Sequence, residues 1–250
     1  MTELLRLQAV TKTFGGVHAL NDISLSVRSG SIAGIIGPNG AGKTTLFNVI
    51  TGALSADEGN IVVAGQQVTG WRPHRIARAG VARTFQNIRL FASMTVFEHL
   101  LVAQPHRSGL LRRLLPTRSV DFDAWRNAEE ALVFFGLQDV RSHLAQSLPY
   151  GLQRKVEMAR ALTAKPNLLL LDEPVAGMSH HEAEELRQLL LRLNQRGLTI
   201  LVIEHDMPFV MNLCRELWVL DFGVLIAQGT PAEIRQDAKV LDAYLGSEAA

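Results

Sequence analysis

The sequence predicts an α/β fold in which a helical segment interrupts the sheet-forming parts of the chain. Three observations carry that expectation. Compact apolar runs at Ser31–Ile36, Leu168–Leu171 and Thr199–Ile203 read as buried strands. Leu186, Leu189, Leu190 and Leu193 recur at the i, i+3, i+4, i+7 spacing of one helix face, and Gly197 stops that helix. The middle, from about Asn87 to Leu148, has a different character, with apolar spacing suited to a helix at Phe122–Phe135.

In chain order, Leu4–Val27 reads as short strands with turns at Gly15-Gly16 and Asn21-Asp22. The run ending at Ile36 enters a Gly-rich turn, and Leu46–Ile50 continues as a helix closed by Gly52. Ile61–Ala64 alternates into Gly65 as a further strand. Val156, Ala159 and Leu162 share a helical face, and Pro166 precedes the strand at Leu168. Leu217–Ala227 has the pattern of a hairpin turning near Asp221 and Gly223. The chain shows no internal repeat and no low-complexity tract.

A chain of 250 residues is long enough for one large domain with a sizeable core. Its formal net charge of +1 gives no electrostatic reason to expect nucleic acid. One cysteine, Cys214, excludes an intramolecular disulfide and fits a reducing setting; it reads as a small buried hydrophobe. No basic flank leads into an apolar run at Met1-Thr2-Glu3, so no signal peptide is expected. No apolar stretch approaches the ~18 to 20 residues that span a bilayer, so a soluble chain is expected and any membrane role needs partner subunits.

Gly37-Pro38-Asn39-Gly40-Ala41-Gly42-Lys43-Thr44 fits the pattern G-x-x-x-x-G-K-[ST] between a predicted strand and a predicted helix. A loop that wraps polyphosphate with backbone N–H groups must come close to the anion. Glycine permits that approach and the unusual dihedrals it needs. The helix that follows adds its positive dipole end. Lys43 is expected to reach the β- and γ-phosphates of ATP, and Thr44 to offer its hydroxyl to Mg²⁺.

Leu168–Leu171 ends in Asp172-Glu173. In open α/β sheets ligands bind beyond the carboxyl ends of strands, which places Asp172 near the phosphate loop as a Mg²⁺ ligand. Glu173 is positioned to orient or to deprotonate the attacking water. The strand Ile200–Ile203 repeats the layout and ends in Glu204-His205-Asp206, which makes His205 a candidate for contact with the γ-phosphate and the water.

Together these residues resemble the ABC ATPase family, and the resemblance covers nearly the whole chain. It implies a P-loop NTPase fold. The RecA-like core with its antiparallel β subdomain then spans 1–86 and 149–250, with an inserted helical subdomain at 87–148. It implies that Gly37 to Thr44, with Thr45, contact the nucleotide and that Phe14, before Gly15-Gly16, stacks on adenine. Gln86 matches the glutamine that touches Mg²⁺ and couples to the membrane subunits. Leu148-Pro149-Tyr150-Gly151-Leu152-Gln153 matches the signature segment, usually close to L-S-G-G-Q, so that Tyr150 and Gly151 face the nucleotide of an opposite subunit. Pro174-Val175-Ala176-Gly177-Met178-Ser179 matches the loop that crosses the dimer interface, and His205 matches the switch histidine. On this reading Glu173, His205 and Gln86 are catalytic.

A narrower resemblance is carried by Ala82–Phe91, Met94-Thr95-Val96, Leu148–Gly151, Glu204–Met207 and Gly229–Gly246. These are similar to the LivG-type subunits of branched-chain amino acid importers. The resemblance implies a second ATPase in a heterodimer, two integral-membrane permeases and, indirectly, a periplasmic solute-binding protein. It also implies a cytoplasmic chain held on the inner face of the membrane. The signature departs from the general pattern: Pro149 has neither a hydroxyl nor an N–H, and Leu152 replaces a glutamine. Two further readings are a P-loop metabolite kinase, which leaves the signature segment and His205 without a use, and a soluble non-transport ABC ATPase. The basic stretch His106, Arg107, Arg112, Arg113 and Arg118 reads as a solvated loop or as a face near anionic lipid or permease.

Overall fold

The computed structural model describes residues 2–104 and 118–247. Strands β1 (Glu3–Phe14) and β2 (Val17–Arg28) pair antiparallel around a turn at Gly15 and Gly16, where φ is 52° and 87°. Both strands are long and each carries a bulge. Leu5 and Leu7 are buried, and after Ala9 (φ 51°) the buried position moves to Val10; in β2 it moves from Leu20 to Ile23, Leu25 and Val27 across Asp22 (φ 54°). An extra residue in one strand restores the core face after each phase change. Asn21-Asp22, expected as a turn, is therefore corrected to a bulge within β2. Its backbone is used sideways: the Asp22 N–H donates to Thr11 Oγ1 and the Asn21 N–H to the Gly223 carbonyl.

With β4 (Glu58–Val63) and β5 (Gln66–Gln67) these strands form an antiparallel sheet in the order β2-β1-β4-β5. A second sheet contains β3 (Ile32–Ile36), β6 (Val81–Arg83), β7 (Leu168–Asp172), β8 (Thr199–Ile203), β9 (Glu216–Asp221) and β10 (Val224–Gly229). Its order is β10-β9-β3-β8-β7-β6, parallel throughout except for the β9–β10 hairpin, which turns at Phe222 and Gly223. Every residue of β3, β7 and β8 is buried, as a parallel sheet covered on both faces requires. Helix α1 (Lys43–Ile50) places Leu46, Phe47, Val49 and Ile50 in one apolar core with residues of both sheets.

The chain divides into two compact units, residues 1–83 with 167–250, and residues 84–166. The expected borders were 86/87 and 148/149. Most of the difference is α5 (Tyr150–Thr163), which packs on α3 (Val96–Val102) and α4 (Arg118–Phe135) within the second unit. Its buried Val156 and Ala159 lie in a unit whose core also includes Val96, Leu100, Ala128, Leu132 and Phe135. Of the basic stretch, His106, Arg107, Arg112 and Arg113 lie outside the described residues, and Arg118 begins α4.

The first unit also holds α2 (Pro73–Arg78), α6 (His180–Gln195), α7 (Met207–Leu213), α8 (Pro231–Ile234) and α9 (Ala238–Ser247). Ser179 caps α6 in a reciprocal box with Glu182, and the four leucines read from the sequence are its buried face. Among the described residues no helix is long and apolar enough to cross a membrane.

Strand β7 is buried along its whole length. Leu170→Ala removes a fully buried side chain from the middle of β7. It should lower the unfolding free energy by about 2–5 kcal/mol, read as a lower guanidinium midpoint.

Candidate nucleotide-binding site

The loop from Gly37 to Gly42 joins β3 to α1 and is wedged between two backbones. A Cβ on Gly37 (φ 147°) would stand 2.0 Å from the Leu220 carbonyl oxygen, and one on Gly42 (φ 99°) would stand 2.4 Å from that of Ala19. No side chain fits at either position. The far side of the loop is tied down by the Gly223 N–H, which donates to the Ala41 carbonyl at 3.0 Å. Pro38 is half-buried and Ala41 buried, whereas Asn39, Gly40 and Thr44 are exposed and Thr45 is half-buried. The loop thus opens to solvent on one side.

Lys43 is buried, and its ammonium donates to the carbonyls of Gly37 at 2.6 Å and Pro38 at 2.7 Å. Burial pulls its pKa down from the usual lysine value, while the carboxylates of Glu173 and Asp172 act in the opposite direction. Asp172 closes β7 and Glu173 follows it, so both acids lie at the carboxyl end of that strand. Asp172 is held by Arg83 at the end of β6, with Nη2 2.7 Å from Oδ2, and Nη1 of the same guanidinium donates to Asn48 of α1 at 2.7 Å. Arg83 therefore ties the acid to the helix that follows the loop. Sequence reasoning missed this role, although a lone charge in the short strand Val81-Ala82-Arg83 was a visible signal.

Glu173 has φ 47°, a left-handed conformation uncommon for a glutamate. Its N–H donates to the Ile203 carbonyl at 2.9 Å. His205 lies one strand over with a largely exposed side chain, and its Nδ1 stands 3.8 Å from Glu173 Oε1. What fixes the His205 backbone is Glu204, also missed. Glu204 is fully buried; Oε1 accepts from the Val175 N–H at 3.0 Å, and Oε2 accepts from the N–H groups of His205 at 3.0 Å and Asp206 at 3.3 Å. Burial pushes its carboxyl pKa up, against the three N–H donors that favour the charged form. Glu204 thereby joins the segment after Glu173 to the segment bearing the histidine.

Phe14 closes β1 and is half exposed, with the Lys12 ammonium 5.3 Å from its ring centre. Among the described residues no cluster of three or more His, Cys, Asp or Glu forms a cation cage. A cation here would draw on the hydroxyl of Thr44, the carboxylate of Asp172 and oxygens of a bound phosphate. That all-oxygen, sparse donor set fits Mg²⁺.

Gln86, Tyr150 and Gly151 belong to the second unit. Gln86 follows β6 in an irregular segment, and Pro149 is the N-cap of α5 with no side-chain hydrogen bond. Within this unit one side chain joins two of the predicted positions: Arg154 Nη2 donates to the Gln86 carbonyl at 2.8 Å and to the Tyr150 hydroxyl at 2.9 Å. Its sequence signal was the opposite charges of Arg154 and Glu157 three apart on a helix.

The Glu204 bridge can be tested without nucleotide. Glu204→Gln puts an amide donor opposite backbone donors and leaves at least one N–H without a partner. The variant should be about 1–3 kcal/mol less stable, seen as a lower unfolding midpoint.

Comparisons with known proteins identify the family. The family described as ABC transporter matches residues 20–176, and the one described as branched-chain amino acid ATP-binding cassette transporter matches residues 224–250. The chain is 43% identical over 249 residues to the high-affinity branched-chain amino acid transport ATP-binding protein LivG of Salmonella typhimurium, covering 97% of this chain and 98% of the relative. It is 41% identical over 250 residues to BraF of Pseudomonas aeruginosa, a protein of the same description, with 97% and 98% covered. A solved structure of the ADP conformation of an ATP-binding cassette of an ABC transporter superposes with TM-score 0.86 at 34% identity, covering 98% of this chain and 100% of that one. The chain belongs to the ATP-hydrolysing ABC transporter family, among its branched-chain amino acid transport ATP-binding proteins.

Proposed function

We propose that this chain binds ATP with Mg²⁺ and hydrolyses it to ADP and phosphate, and that the cycle energises import of branched-chain amino acids or related small polar solutes. The observation that carries the reading is the buried Lys43 ammonium, lodged among the loop carbonyls and under the influence of Asp172 and Glu173. A polyphosphate entering the loop offers that ammonium full negative charge in place of two carbonyl oxygens.

Each residue then has a defined task. Gly37, Pro38, Asn39, Gly40, Ala41, Gly42, Lys43, Thr44 and Thr45 cradle the phosphates, and Phe14 stacks on adenine. Thr44 and Asp172 would hold Mg²⁺, which when bound neutralises charge on the phosphate oxygens, and Gln86 takes the coupling role toward the membrane subunits that the family resemblance implies. Glu173 orients or deprotonates the attacking water, and His205 contacts the γ-phosphate and that water. Catalysis is then mainly positioning and charge stabilisation.

The working unit in this reading is a pair of ATPase subunits, with Tyr150 and Gly151 presented to the nucleotide of the opposite subunit. Pro149 favours an unequal pair. A serine hydroxyl at this position would donate to a γ-phosphate, a bond to a charged group that contributes ~1.5 to 3 kcal/mol. Proline has no such donor. A heterodimer would lose that contact at one site, a homodimer at both. The pair would sit beneath two integral-membrane permeases at the cytoplasmic face, served by a periplasmic solute-binding protein.

Two substitutions separate binding from chemistry. Lys43→Ala should abolish both ATP binding in a titration and phosphate release. Glu173→Gln should retain ATP binding but lose ~10² to 10⁴-fold in turnover, the usual share of a general base. Equal hydrolysis by Glu173→Gln and the parent would remove Glu173 from the chemistry. Uptake of leucine into vesicles holding the chain with its permeases and binding protein tests the transport half.

A further inference from the structure

Arg154 is fully buried, yet it bears a charge and lies on the core side of α5. Its two terminal nitrogens divide four acceptors. Nη1 donates to the Phe85 carbonyl at 2.7 Å and to Glu157 Oε2 at 2.9 Å. Nη2 donates to the Gln86 carbonyl at 2.8 Å and to the Tyr150 hydroxyl at 2.9 Å. Glu157, itself buried, returns to the same segment by accepting the Phe85 N–H at 3.3 Å on Oε1.

Residues 84–88 belong to no strand or helix, since β6 ends at Arg83. A backbone carbonyl outside a ladder takes its donor from a side chain or from water. Here the carbonyls of two consecutive residues receive theirs from one planar guanidinium, whose nitrogens are rigidly spaced. Tyr150 is in the first turn of α5, one turn before Arg154, and is 42% exposed. Its ring thus reaches the surface while its hydroxyl meets Arg154 inside. A shift of the Tyr150 hydroxyl acts on the nitrogen that holds the Gln86 carbonyl.

We infer that Arg154, with Glu157 as its counter-charge, is a positioning residue that locks the Gln86 backbone to Tyr150, so that an event at one is mechanically felt at the other. The functional meaning rests on the reading above, in which Tyr150 faces an opposing nucleotide and Gln86 couples to the permease. The side-chain arrangement alone supplies the connection. Tyrosine stands where the general signature has glycine, which has no hydroxyl to offer, so the link depends on the departure from that general pattern at Tyr150.

Hydrogen exchange on the full-length chain tests it. Tyr150→Phe deletes one oxygen at the surface end of the link and leaves Arg154 in place. Arg154→Lys keeps the charge beside Glu157 but loses the fork. In both variants the amides of residues 85–88 should exchange at least about tenfold faster than in the parent, while amides of the β7 and β8 strands and the unfolding midpoint of Tyr150→Phe are unchanged. With ATP as substrate, Arg154→Lys should lower kcat and leave KM within about twofold, because the phosphate loop is untouched. Unchanged exchange at 85–88 in Tyr150→Phe overturns the link, as does a raised KM with kcat retained. An ATP titration of the parent judges the nucleotide reading separately: absence of binding sinks that reading, while the exchange result still decides whether Tyr150 and Gln86 are joined.

Discussion

The structure depends on one close approach. Between β3 and α1 the backbone passes so near the Leu220 and Ala19 carbonyls that no side chain fits at Gly37 or Gly42. Leu220 belongs to β9 and Ala19 to β2, so the loop is held by both sheets at once. The bulge at Asp22 contributes to the same clamp: Asn21 donates to Gly223, and Gly223 donates to Ala41. A deviation in β2 that looks like irregular pairing thus bears on the position of the Gly37–Gly42 loop. With the backbone held there, the Lys43 ammonium folds into the loop and stays within the influence of the acids at the end of β7.

Within each unit, buried ionisable side chains are arranged as bridges between elements. Arg83 joins β6, β7 and α1; Glu204 joins the segment after Glu173 to the segment after β8; Arg154 joins α5 to the residues after β6. A buried ion pair gives little net stability, because desolvation offsets much of the Coulomb attraction. These groups make directional contacts to backbone or to two partners. Their contribution is to relative position, which a hydrocarbon core of equal volume would leave less defined.

Much of this was legible in the sequence. The apolar runs of β3, β7 and β8, the leucine face of α6, the β9–β10 hairpin and the phosphate loop each follow from local periodicity or from glycines at fixed spacing. The strand pattern alone puts Asp172 at the carboxyl end of β7, where it stands. Asn21-Asp22 was misread because its composition suits a turn and a bulge equally, and only the pairing register tells them apart. The middle unit was drawn without α5, since periodicity gives a helix its apolar face but not its neighbour. Arg83, Glu204 and Arg154 escaped for a related reason. Their roles are contacts with backbone atoms of distant segments, and backbone carries no sequence signature.

Glu173 holds a left-handed backbone that glycine enters freely and asparagine or aspartate enter more readily than glutamate. Strain of this kind costs of order 1–3 kcal/mol and persists where the surroundings over-determine it. A selection for heat resistance alone would drift toward those easier residues. Glycine would discard the carboxylate, asparagine would replace it with a neutral amide, and aspartate would retract it by one methylene. In the catalytic role proposed for Glu173, the position is one where durability and work pull the chain toward different amino acids.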